Sequence, residues 1–160
     1  MTMTSAEREF HRATAKNCFN RAWTYLDRRH RRAEEDREML HLGHAARYHW
    51  SRVGTPSHVA VSDWQVSRIY AALGDAPMAL EFARSSLELC RRHRLLEYLP
   101  TAHEAMARAY AVARDERAAR PHLERARTLL ANAPIDDEDR EVYLGQVAET
   151  ERWVDRLRTR

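Results

Sequence analysis

YAALGDAPMALEFARSSLELC, residues 70–90, is the stretch that decides the fold, because the chain repeats it. When the sequence is shifted by 40 positions, this stretch falls without gaps on YAVARDERAARPHLERARTLL, residues 110–130. The positions that match include Tyr70 and Tyr110, Asp75 and Asp115, Ala79 and Ala119, and Leu89 and Leu129. A repeat of this length is typical of one supersecondary unit that is copied and stacked, so it predicts a helical array.

The composition of the chain favours helices throughout. Good helix formers dominate the 160 residues, only four are Gly and five are Pro, and strand-like alternation of β-branched residues is absent. The length predicts one domain, residues 1–160. No apolar run reaches the length of a membrane span, and no signal peptide opens the chain, so we expect a cytoplasmic protein without a membrane partner.

The charged and thiol groups exclude several kinds of site. The net charge is only +3, and acidic residues directly follow the basic cluster 28–32, so we expect no nucleic-acid partner. Both this cluster and a second basic cluster, 91–94, fall at the predicted C-terminus of a helix, where cations complement the helix dipole. Cys18 and Cys90 lie inside predicted helices without metal-ligand spacing, so we expect reduced thiols, no metal site and no cofactor.

Hydrophobic periodicity and capping signals predict seven helices. Thr4 and Glu7 have the spacing of a capping box, and Gly54 is expected to end a helix in the left-handed conformation. Asp75 is expected to cap the fourth helix, and Pro121 should kink the sixth helix or delay its start. The predicted helices cover, approximately, residues 5–30, 33–53, 57–73, 75–93, 99–113, 115–132 and 136–157.

The repeat resembles the tetratricopeptide (TPR) pattern of paired helices with aromatic and small residues at fixed places. These places are held by Tyr70, Gly74, Ala79, Ala83 and Ser86 in one unit, and by Tyr110, Arg114, Ala119, Leu123 and Ala126 in the next. Arg114 and Leu123 depart from the pattern. The resemblance implies an all-α, right-handed stack of antiparallel helix pairs, with units over residues 5–53, 57–93 and 99–132 and a capping helix over 136–157.

A second resemblance covers the middle of the chain. HAARYHWSRVGTP, residues 44–56, and DWQVSRIYAALGD, residues 63–75, are similar to a group of bacterial TPR-like proteins without an assigned activity. This similarity implies the fold and a bacterial origin, and it implies no function.

The TPR register predicts a binding groove. The first helix of each TPR pair lines a concave surface, which would place Trp64, Arg68, Glu104 and Arg108 there. Trp64 and Arg68 lie four residues apart on one face of a helix, where an indole and a guanidinium can together hold an aromatic group or a carboxylate. We therefore predict a protein or peptide partner in this groove.

An alternative site would lie between the second and third helices. It would bind a small molecule, with or without catalysis, through a pocket lined by His44, Tyr48, His49, Trp64, Gln65 and Arg68. Histidine titrates near neutral pH and could act as an acid or base. The chain carries no P-loop, no glycine-rich nucleotide loop and no nucleophile elbow, so the sequence does not decide whether the protein is an enzyme.

Overall fold

Seven α-helices make up the regular secondary structure of the chain in a computed structural model that describes residues 2–158. They are α1 (Ser5–Leu26), α2 (Ala33–Val53), α3 (Pro56–Ala72), α4 (Ala76–Arg92), α5 (Leu99–Val112), α6 (Glu116–Asn132) and α7 (Asp137–Asp155). The all-α class and the number of helices are thus confirmed. None of the described helices is both long and apolar enough to cross a membrane.

Capping side chains fix where several helices begin. The Thr4 hydroxyl accepts a hydrogen bond from the Glu7 backbone N–H, and the Glu7 carboxylate accepts one from the Thr4 N–H, which confirms the capping box. Asp75 accepts from the Met78 N–H at the start of α4, as predicted. At the start of α6, Asp115 makes the corresponding bond to the N–H of Ala118. These bonds satisfy N–H groups that otherwise lack a partner in the first helical turn.

The helices pack as antiparallel neighbours. In the first pair, the Arg21–Glu38 ion pair joins the end of α1 to the start of α2, and His11 near the start of α1 contacts His49 near the end of α2. α3 pairs with α4 and α5 with α6, while α7 packs on α5 and α6. No Cα atom of α1 lies within 8 Å of a Cα atom of α7. α1 and α7 therefore stand apart, with α3 and α5 packed between the two ends of the array.

The two copies of the sequence repeat also match in their packing. Tyr70 and Phe82 stack with ring centroids 5.8 Å apart, and Tyr110 stacks on His122 at the same distance. His122 lies 40 positions after Phe82, so one ring contact recurs with a different chemical group. Small residues on the second helix of each pair, Ala79 and Ala119 among them, are fully buried, which lets the helices approach closely.

Two details of the sequence prediction are wrong. α1 ends at Leu26 rather than near residue 30, because Arg31 folds back and donates to the carbonyl oxygens of Tyr25 and Arg28; the first basic cluster thus follows the helix. Gly54 has φ −85°, so it is not left-handed. A Cβ there would lie 2.6 Å from the Trp50 carbonyl oxygen.

The prediction for Pro121 has two alternatives, a kink in the sixth helix or a later start. The helix begins at Glu116 and contains Pro121, so the later start does not occur. Pro121 lies just past the first turn of α6. Its missing N–H thus removes one intrahelical hydrogen bond, and the rest of the helix still buries Leu123, Ala126 and Leu130.

We expect alanine substitutions at Gly74 and Gly145 to change stability in opposite directions. Gly74 has φ +80°, where a side chain is strained, so Gly74→Ala should lower the free energy of unfolding by about 1 kcal/mol. Gly145 lies within α7 with open space around its Cα, so Gly145→Ala should raise it by about 0.5–1 kcal/mol. Urea unfolding measures both values, and a shift of the same sign for both variants would contradict this assignment.

Candidate functional site

Three cavities lie along α1. The N-terminal cavity, of about 180 Å³, is lined by Lys16, Phe19, Asn20, Trp50, Ser57, His58, Val61, Ser62 and Tyr98. The central cavity, of about 480 Å³, is lined by Phe19, Trp23, Asp27, Val61, Trp64, Tyr98, Val142, Tyr143 and Gln146. The arginine cavity, also of about 480 Å³, is lined by Trp23, Leu26, Asp27, Arg28, Arg29, Arg31, Arg68, Ala72, Arg108, Glu149 and Trp153.

The three cavities are neighbours that share lining residues, and together they are called the groove. Phe19, Val61 and Tyr98 border both the N-terminal and the central cavity, and Trp23 and Asp27 border both the central and the arginine cavity. α1 forms one side of the groove and α7 the other side of its central and arginine cavities. The helical rise of about 1.5 Å per residue makes the stretch from Lys16 in α1 to its C-cap residue Asp27 roughly 16 Å long.

A buried ion network lies beneath the arginine cavity. The Glu104 carboxylate accepts hydrogen bonds from Nη1 of Arg68, at 3.1 and 3.2 Å, and from Nε of Arg108, at 2.9 Å. The Thr150 hydroxyl donates to the same carboxylate at 2.5 Å. Glu149 accepts from Nη2 of Arg108 at 2.9 Å and lies 3.5 Å from Nη2 of Arg68. The network therefore ties α3, α5 and α7 together.

The network keeps its charges although it is buried. Burial raises the pKa of Glu104, but Arg108, Arg68 and the Thr150 hydroxyl lower it by more, so this pKa lies below its ordinary value. Burial lowers the pKa of Arg68, yet a guanidinium stays protonated at any physiological pH. The resulting ion pairs offset the cost of removing three charged groups from water.

Three tryptophan rings surround the two guanidinium groups. Cζ of Arg68 lies 5.5 Å from the ring centroid of Trp23 and 5.7 Å from that of Trp64. Cζ of Arg108 lies 4.6 Å from the ring centroid of Trp153. These cation–π contacts hold the guanidinium planes in fixed orientations.

Charged residues at the rim of the arginine cavity differ in their partners. Arg28 pairs with Glu35 at 2.5 Å, and Arg31 pairs with Asp36 at 2.6 Å. Asp27 and Arg29 have no ion-pair partner among residues 2–158. The rim thus offers one free guanidinium and one free carboxylate to a ligand.

Polar atoms without a partner border the groove. Within the described chain, the buried atoms Nε1 of Trp64, Nε of Arg68 and Oε1 of Gln146 have no hydrogen-bond partner. Trp64 and Gln146 line the central cavity, and Arg68 lines the arginine cavity. Buried polar groups in folded proteins are almost always hydrogen-bonded, so these three atoms are exceptions, and all three belong to residues that line the groove.

The structure brings together most of the predicted groove residues. Arg68 and Arg108 line the arginine cavity, and Glu104 lies beneath it, 1% exposed. Trp64 is only 7% exposed because it packs in the core, and it reaches the central cavity.

The other predicted site residues lie in different surroundings. Nε2 of His44 lies 2.9 Å from the Tyr70 hydroxyl, and Nδ1 of His49 lies 2.8 Å from Nδ1 of His11. Burial lowers the pKa of both His44 and His49. The Tyr48 ring is exposed beside His49. The fully buried Gln65 donates from Nε2 to the backbone oxygen of Phe19 at 2.8 Å.

Sequence reasoning missed several groove residues. Trp23 of α1 borders both the central and the arginine cavity. On α7, Glu149 and Trp153 lie four residues apart, which places both on one helix face. This spacing repeats that of Trp64 and Arg68 on α3 and was the available signal.

No family model, no curated protein and no solved structure is significantly similar to this chain. Across residues 2–158, no three His, Cys, Asp or Glu side chains come together in a group that could hold a metal ion.

We expect Glu104→Gln to lower the free energy of unfolding by about 3–5 kcal/mol, because it leaves two buried guanidinium groups without their shared carboxylate. Glu151→Gln is the matched control. Glu151 pairs with Arg127 at the surface, so its loss should cost less than about 1 kcal/mol. Urea unfolding at pH 7 compares the two, and equal losses would contradict the importance of the buried network.

The effect of Glu104→Gln should shrink in acid. The pKa of Glu104 is lower in the folded chain than in the unfolded chain, so its contribution is complete above the unfolded value and is lost as the pH falls through the folded value. The difference in unfolding free energy between wild type and Glu104→Gln should therefore decrease when the pH is lowered from 7 toward 3. A difference that stays constant over this range would contradict a charged Glu104.

Proposed function

We propose that this protein is a TPR-like helical-repeat interaction module that binds a peptide or protein segment in the groove along α1. The observation that carries the proposal is the adjacency of the three cavities along α1, since neighbouring cavities share lining residues. At about 3.3 Å per residue, an extended segment of roughly five residues would cover the stretch from Lys16 to Asp27. We also propose that the helix pairs form the right-handed stack implied by the sequence resemblance.

The lining of the groove suits a segment whose side chains differ in chemistry along its length. The central cavity offers four aromatic rings besides Trp23, and the arginine cavity offers guanidinium groups. Aromatic residues and arginines are enriched at positions that contribute most to protein–protein binding. Both cysteines are free, which is consistent with the bacterial cytoplasm that we propose as the location.

A small-molecule ligand is the second candidate. Cavities of about 480 Å³ fall within the usual range for small-molecule sites, and Arg68 and Trp64 each line one of the two larger cavities. In this alternative the ligand would occupy the arginine or the central cavity alone. The residues shared between neighbouring cavities would then not matter for binding. His44, Tyr48 and His49 would enter only if the ligand bound on α2.

The proposal is tested with a hexapeptide selected on the purified protein from a random library. We expect Trp23→Leu to weaken binding of the selected peptide by at least about 1 kcal/mol, because Trp23 borders both larger cavities. Trp23 is a better target than the core residue Trp64, whose replacement would leave a cavity in the core. Fluorescence anisotropy measures the affinity, and thermal melting verifies that the variant is folded.

Tyr48→Leu is the matched control. Tyr48 is 57% exposed on α2, away from the groove, and it belongs to the alternative pocket, so its replacement should leave peptide binding unchanged. Loss of binding in Tyr48→Leu together with full binding in Trp23→Leu would reject the groove. A metabolite that raises the melting temperature, with no peptide selected, would favour the small-molecule function.

A further inference from the structure

Glu149 differs from the rest of the ion network in its exposure. Its side chain is 43% exposed, whereas those of Arg68, Arg108 and Glu104 are 9%, 5% and 1% exposed. It reaches the guanidinium groups from α7, at the edge of the arginine cavity. A rotation of this side chain into solvent would release both contacts while Glu104 stays bound beneath.

The charges of the network determine what could replace Glu149. Arg68 and Arg108 carry two positive charges, and Glu104 is fixed between them, so the site without Glu149 carries one net positive charge. It therefore matches a single negative charge. A carboxylate is also the group that two neighbouring guanidinium N–H groups hold well.

Arg68 and Arg29 give two further indications of a ligand. Nε of Arg68 is buried without a hydrogen-bond partner, although this residue already binds Glu104 and contacts Glu149. Arg29 lines the same cavity and has no ion-pair partner in the described chain. The cavity thus offers the Arg29 guanidinium as a donor beyond those that Glu149 uses, and the unpaired Asp27 carboxylate at the same rim balances its charge.

We propose that Glu149 is an internal substitute for an acidic side chain of the bound segment, which displaces it from Arg68 and Arg108. This inference rests on the proposed function. The carboxylate of an Asp or Glu in the segment takes the place of the Glu149 carboxylate. The apolar neighbour of that residue then lies across Trp23 in the central cavity. Glu149 acts as an autoinhibitory group that excludes segments without a competing carboxylate.

Competition between the two carboxylates has a measurable consequence. The apparent affinity of a ligand falls with the fraction of protein whose site is free. If Glu149 occupies the site in two thirds of the molecules or more, its removal raises affinity by at least about threefold. Glu149→Gln removes the charge and keeps the shape of the side chain.

The experiment uses the tightest hexapeptide selected from a random library on wild-type protein. We expect Asp or Glu at one enriched position. Three peptides are then compared: the selected acidic peptide, its Asn or Gln counterpart and its phosphoserine counterpart. Each is titrated against wild type, Glu149→Gln and the control Glu151→Gln. Glu149→Gln should bind the acidic peptide at least about threefold more tightly and the amide peptide no more tightly. Glu151→Gln should match wild type, since Glu151 pairs with Arg127 outside the cavity.

Several results would overturn the inference while the proposed function stands. The selected peptides could lack an acidic residue, or the acidic and amide peptides could bind equally well. Folded Glu149→Gln could bind the acidic peptide no more tightly than wild type does. Tighter binding of the phosphoserine peptide than of the acidic peptide would assign the site to a dianion. If no peptide is selected at all, the proposed function fails and this inference fails with it.

Discussion

The Glu104 carboxylate, shared by Arg68 and Arg108, is the interaction on which the groove depends. It joins α3 to α5, and through Thr150 it also holds α7. A buried ion network of this kind is seldom more stabilising than well-packed apolar residues would be. Its directional hydrogen bonds do what apolar contacts cannot, because they fix two guanidinium groups at the wall of the arginine cavity. In the function proposed above, the network presents this positive charge to the ligand.

The sequence repeat accounts for the two guanidinium groups of the network but not for the Glu104 carboxylate. A shift of 40 residues places Arg68 on Arg108, so the repeat supplies both guanidinium groups at equivalent places on α3 and α5. The same shift places Trp64 on Glu104. A tryptophan at both positions would leave the two cations without a shared carboxylate. The ionic site therefore depends on a position at which the two repeat units differ, with an aromatic ring in one and an acid in the other.

The fold was predictable from local signals, whereas the site depends on contacts between distant parts of the chain. Capping residues such as Asp75 act within one helical turn, so the number of helices and most of their limits could be predicted. The end of α1 was missed because Arg31 folds back on the carbonyl oxygens of Tyr25 and Arg28, which a helical periodicity does not reveal. Glu149 was missed because its partners lie about 40 and 80 positions earlier, beyond any periodic pattern within α7.

α7 has two roles that act against each other. Val147 and Val154 bury the apolar end of the stack, so the helix must stay in place for the fold. Glu149, on another face of the same helix, places a carboxylate in the cavity where a ligand would bind. Since Val147 and Val154 anchor α7 on both sides of Glu149, the proposed displacement of the Glu149 side chain would leave the helix in place. If Glu149 acts as proposed, different residues of α7 serve stability and recognition, and substitutions at Glu149 change binding without changing the fold.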